Sequence, residues 1–127
     1  MSTIRCDNFG PSAGGTTYSA RGIAKAWGAF SNTATAVIDN SLNISSITDN
    51  GAGDASFGIS SGFSSVAYTS VYDNANNAVG NSNAYTGSTR GDTKTASSFR
   101  CVSVYDPGTT TGVDGDNQSF VCVGDLA

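Results

Sequence analysis

Along residues 23–30, Ile23, Lys25, Trp27 and Ala29 alternate with Ala24, Ala26, Gly28 and Phe30. This is the period of two that sends successive side chains to opposite faces of a strand, here with small residues on one face. The Thr/Ala alternation of residues 33–38 predicts a second strand, closed by Asp39-Asn40. Residues 42–47 and 55–60 flank Asp49-Asn50-Gly51-Ala52-Gly53-Asp54, and Asn-Gly between alternating segments is the strongest short-range hairpin signal. Residues 66–72 predict a further strand, with Tyr68 and Tyr72 on the face of Val66 and Ser70. Residues 99–105 and 118–124 read as a final hairpin around a long turn, residues 106–117. Between these, residues 73–93 are clustered Asn, Gly, Ser and Thr and predict the longest exposed loop. Residues 1–22 are Gly/Ser/Thr-rich and predict an extended arm, too polar to fold alone. The expectation is an all-β chain: a compact antiparallel β-sandwich or barrel-like domain over residues 23–127, preceded by an N-terminal arm over residues 1–22.

Composition sharpens this reading. All ten acidic residues are Asp, while Leu appears twice, Met once and Gln once, so good helix formers are scarce. Leu, Ile, Val and Phe together number only 23 of 127 residues, a thin supply for a core. With a net charge of −4 and 13% charged residues, self-repulsion is too weak to favour disorder. Burial against copies of itself would supply the missing apolar area, so the composition points to an oligomer.

Six basic residues among 127 give no basic patch for phosphates, so no nucleic-acid partner is expected. There is no apolar run of about 18 residues, so no membrane insertion is expected. The start, Met1-Ser2-Thr3-Ile4-Arg5-Cys6-Asp7, lacks a signal-peptide pattern, which predicts a protein made in a cytosol. With no His, Ser-His-Asp and Cys-His sites are absent and mixed Cys/His zinc sites are excluded. Asp49 with Asp54, or Asp114 with Asp116, could supply a glycosidase carboxylate pair, but Asp in Asn/Gly-rich turns ordinarily caps the turn. Asp114-Gly115-Asp116-Asn117 hints at a calcium loop but lacks the EF-hand glycine and Glu, so turn chemistry is favoured. Neither enzymatic activity nor a cofactor or metal is expected. Arg90-Gly91-Asp92 reads as an ordinary exposed turn, and the acceptor-like Asn43-Ile44-Ser45 is set aside without a secretory signal. Of three cysteines, Cys101 and Cys122 fall on the two arms of the predicted final hairpin, able to form a cross-strand disulfide or a pair of buried thiols.

Residues 22–27, Gly-Ile-Ala-Lys-Ala-Trp, continuing through Phe30-Ser31-Asn32-Thr33-Ala34-Thr35-Ala36, resemble the Lys-Ala-Trp segment of a widespread phage tail-fibre terminal domain. Residues 42–54 are similar to that family's hairpin, and Val121-Cys122-Val123-Gly124-Asp125-Leu126-Ala127 to its closing strand. Gly28, Ala29 and Ala55 depart from its usual residues, and the last strand is short. The resemblance implies a homotrimeric β-domain at the tip of a virion appendage, in contact with the host surface. Residues 1–127 contain no shaft-like sequence, so the expectation is a stand-alone tail component or a capsid decoration protein.

The expected role is thus a non-enzymatic bacteriophage virion protein, assembled in the host cytoplasm and partnered by itself and other virion proteins. As a tail or fibre tip it would bind a host-surface glycan or protein through its loops. Tyr85, Asn81, Asn83 and Arg90 are the candidate contact residues, because Tyr with Asn, Ser and Gly makes adaptable recognition surfaces. Trp27 and Phe30 are the candidate trimer-interface residues. Alternatives are a capsid decoration (cement) protein gripping the shell through its arm, and a free-standing lectin-like module.

Overall fold

The computed structural model describes residues 8–9, 18–19, 23–75, 85–105 and 112–127. Within the predicted arm, β1 (Asn8–Phe9) pairs antiparallel with β2 (Tyr18–Ser19). The remaining strands are β3 (Ala24–Ser31), β4 (Val37–Leu42), β5 (Ile44–Gly51), β6 (Asp54–Ile59), β7 (Thr69–Ala75), β8 (Tyr85–Thr89), β9 (Ser98–Tyr105) and β10 (Asn117–Val123). They form two four-stranded antiparallel sheets packed face to face, ordered β4-β3-β10-β7 and β5-β6-β9-β8. The chain is an all-β sandwich.

Phenylalanine explains how so few apolar residues suffice. Phe30, Phe57, Phe99 and Phe120 come one each from β3, β6, β9 and β10, the central strands, and all are buried. Their ring centroids lie 4.8 Å apart for Phe30–Phe57, 4.6 Å for Phe57–Phe120, 4.8 Å for Phe99–Phe120 and 5.2 Å for Phe57–Phe99. These edge and offset contacts add to the burial of large rings. The small face of β3 accommodates one of them: a Cβ on Gly28 would lie 2.7 Å from the Phe120 ring. Phe63 and Tyr68 form a second stack, centroids 4.1 Å apart, with the Lys94 ammonium 3.9 Å from the Tyr68 ring centroid.

Asn43 carries the chain from one sheet to the other in a single residue. Its φ of 61° is the left-handed conformation that Asn tolerates. Its side chain donates to the carbonyls of Lys25 (3.1 Å) and Ser61 (3.0 Å) and accepts from the Ser61 N–H (2.7 Å). The amide of this acceptor-like triplet therefore has a structural task.

Several strand expectations differ from the structure, and the strand predicted over residues 66–72 begins only at Thr69. The predicted strand at residues 33–38 begins only at Val37, because buried Asn32 leaves the ladder and donates its N–H to Gly115 (2.8 Å). The loop at residues 73–93 is shorter: β7 continues to Ala75, and Tyr85–Thr89 form β8 despite their polarity, pairing with β9. Lastly, residues 99–105 and 118–124 do not make a hairpin. β9 lies between β6 and β8 while β10 lies between β3 and β7, so both edges of each are already paired and their connection crosses between sheets.

Candidate functional site

Strand directions sort the connections into two sets. β3, β5, β7 and β9 end where β4, β6, β8 and β10 begin, so residues 32–36 and 52–53 join strands at one end of the sandwich, the end at which β7 and β9 stop and β8 and β10 start. Residues 43, 60–68 and 90–97 join them at the other. The first end is thus where the strands flanking both long segments expected to recognise a ligand stop and restart.

The described part of that end is held by a clasp. Asp114 Oδ1 accepts the Gly53 N–H (2.7 Å) and the Asn32 side-chain amide (3.4 Å). Gly53 accepts from the Ser103 N–H (2.7 Å), and Ser103 in turn accepts from the Val113 N–H (3.1 Å). Gly53 has φ +67°, and a Cβ there would meet Val113 N at 2.3 Å and Ser103 O at 2.4 Å. Only glycine fits this crossing of backbones. The hairpin tip between β5 and β6 is thereby tied to the descending part of the β9–β10 connection. Asn32 is fully buried, and its Oδ1 has no hydrogen-bond partner.

The other carboxylates considered for chemistry also have structural partners. Asp49 accepts the Gly51 N–H (2.8 Å), a turn contact inside the hairpin. Asp54 receives Arg100 in a two-pronged contact, with Nε 2.6 Å from Oδ1 and Nη2 on Oδ2, and Asn50 at 3.2 Å. Partial burial alone would raise the Asp54 pKa, but hydrogen bonds from Arg100 and Asn50 and the charges of Arg100 and Arg90 hold it below the ordinary value. Among the described residues, no group of three metal-ligating side chains converges.

Of the candidate contact residues, Asn81 and Asn83 lie outside the described residues. Tyr85 opens β8 opposite Tyr105, at the loop-bearing end. Arg90 follows Thr89 at the other end, exposed, with its N–H donated to Arg100 O (2.8 Å). Five strand steps at about 3.4 Å put it about 17 Å from Tyr85, so the two do not share one surface.

Phe30 is corrected as an interface residue: it is 1% exposed at the centre of its own core. Trp27, one position out of phase with Phe30 and Ala26, lies on the outer face of its sheet. The small residues Ala26 and Gly28 therefore face Phe120 and the core, away from Trp27. Cys101 and Cys122 are unbonded buried thiols on opposite sheets, projecting into the sandwich from β9 and β10. Burial pushes the Cys122 thiol up to about 11, moderated by the nearby Lys94 charge, and pushes Cys101 up as well.

Asp114 was legible in the sequence as turn chemistry, whereas nothing in the sequence singles out Asn32 as its partner. Compared with protein-family models, curated proteins and solved structures, the chain matches none.

Proposed function

We propose that this chain is a non-enzymatic bacteriophage virion protein, a tail or fibre-tip module that meets the host surface through the loop-bearing end of its sandwich. One observation carries the reading: β7 and β9 stop, and β8 and β10 start, at the same end of the sandwich, beside a hairpin tip locked by Asp114 and Gly53. Loops on a rigid β-scaffold are a recurrent way of presenting variable recognition residues. The composition of residues 76–85, rich in Asn and ending in Tyr85, suits polar ligands such as glycans. The Lys-Ala-Trp resemblance supplies the virion context.

The test is adsorption of phage particles carrying Asn81→Ala, Asn83→Ala and Tyr85→Ala together. Adsorption to host cells should fall at least tenfold, by loss of about 1.4 kcal/mol or more, while particle assembly is unchanged. Arg90→Ala, at the opposite end, should leave adsorption intact. Unchanged adsorption by the triple variant refutes the recognition role. Gold-labelled antibody over the head, and not the tail, would replace it with capsid decoration.

A further inference from the structure

The outer face of sheet β4-β3-β10-β7 carries an apolar row running the full width of the sheet. Trp27 is in register with Leu42 on one side and Val121 on the other, and Val121 with Val71. All four share the face opposite buried Ala26, Phe30, Phe120 and Cys122. Leu42 and Val71, at the ends of the row, are 49% and 58% exposed. Four large apolar side chains aligned across a sheet are what a packed sheet face requires, and scattered exposure does not produce such alignment.

The charges beside the row are arranged asymmetrically. Two residues from Trp27 in one direction along β3 is Lys25. Two residues in the other direction is Ala29, which lines a concavity of about 260 Å³ together with Asp39, Asp73 and Ser119 among others. Asp39 comes from β4, on one side of Ala29, and Asp73 from β7, two strands away on the other. Among the described residues, Lys25, Asp39 and Asp73 take part in no ion pair.

We propose that the occupant of this face is a second copy of the same chain, related by a two-fold axis lying along the apolar row. Such a rotation keeps each position along the row and reverses the strand direction. Trp27 then packs on the partner's Trp27, and Leu42, Val121 and Val71 on their own counterparts. The same rotation carries Lys25 over the partner's Ala29, into the concavity between Asp39 and Asp73. The contact is made twice, as an isologous interface demands. A three-fold axis parallel to the strands would do the opposite, gathering three lysines at one level and six carboxylates at another. The charge pattern therefore selects a face-to-face pair, with the two sheets about 10 Å apart, over the trimer expected from sequence. This pairing is independent of the host-recognition reading, since it uses the flank of the sandwich and leaves the loop-bearing end free.

The experiment is sedimentation equilibrium on the full chain, with emission from Trp27, the sole tryptophan, read over the same dilution series. The wild type should sediment as a dimer, and its emission should shift to longer wavelength as dilution separates the copies. Val71→Asp changes a side chain already 58% exposed, so it should give a folded monomer with unaltered far-UV circular dichroism. Lys25→Asp should raise the dimer dissociation constant about tenfold or more. Adding Asp39→Lys and Asp73→Lys to Lys25→Asp restores opposite signs across the interface and should bring the constant back to within about threefold of wild type. A wild-type monomer at about 100 µM, a trimer, or a dimer that survives Val71→Asp overturns the proposal. So does a triple charge reversal that dissociates as readily as Lys25→Asp alone.

Discussion

Gly28→Ala tests whether the core is fitted as tightly as the Phe120 contact implies. The added methyl would lie 2.7 and 2.8 Å from two ring carbons of Phe120, well inside contact distance. That ring cannot simply retreat, because Phe57 and Phe99 hold it at 4.6 and 4.8 Å. Overpacking of this kind costs about 1–3 kcal/mol, offset by about 0.5–1 kcal/mol from replacing a flexible glycine. The net expectation is a loss of about 1–2 kcal/mol, or about 4–8 °C in Tm for a chain of this length. Urea denaturation followed by Trp27 emission, at one fixed protein concentration, should show a lower midpoint with an unchanged slope. Phe120→Leu removes the far ring atoms and should destabilise on its own by leaving a cavity. Combined with Gly28→Ala, it should destabilise by about 1 kcal/mol less than the sum of the single changes. A Gly28→Ala variant as stable as wild type, or strict additivity in the double variant, would refute the close-packing argument.

Other perturbations have defined outcomes. Asp114→Ala removes the acceptor of the Gly53 and Asn32 bonds and should cost about 1–3 kcal/mol. Hydrogen exchange should speed up first at Gly53, which loses its acceptor, and remain slow at Phe57. Asp54, held below its ordinary pKa by Arg100 and Asn50, contributes stability at neutral pH that is lost as pH falls below about 3.9. Asp54→Asn should flatten that part of the acid-unfolding curve, and an unchanged curve would show the pair to be inert. Cys122, with its pKa raised to about 11, contributes stability at neutral pH that is lost as pH climbs above about 8.5. A thiol reagent should therefore label Cys101 and Cys122 in native protein only at the rate of global unfolding, and burst labelling at pH 7 would contradict their burial.

The strand pattern was legible where side chains alternate cleanly. β3 and the β5–β6 hairpin follow directly from the Trp27/Phe30 phase and the Asn50-Gly51 signal. β8 was not, because Tyr85-Thr86-Gly87-Ser88-Thr89 has the composition of a loop and becomes a strand by pairing with β9. The separation of β9 from β10 was hidden as well. Two strands adjacent in sequence suggest a hairpin, and only long-range partners, β6 for one and β3 for the other, reveal that each belongs elsewhere. Trp27 and Phe30 differ by an odd number of positions, so strand period alone places them on opposite faces. Their joint assignment to an interface conflicted with that parity. The Asn32–Asp114 contact spans most of the chain and leaves no local trace.

β10 is the last of the sandwich strands in sequence, yet it sits in the middle of its sheet, between β3 and β7. During synthesis, β3 and β4 can pair early, but their sheet has a missing centre until residues 117–123 have emerged. Until then β3 and β7 each present an unpaired edge, the kind of template on which chains aggregate. Closing the gap joins residues as distant as Gly28 and Phe120, a contact slow to form because of the long loop it must close. Folding of this domain is therefore gated by synthesis of residues 117–123, and a nascent or truncated chain ending before Asn117 becomes a substrate for chaperones and proteases.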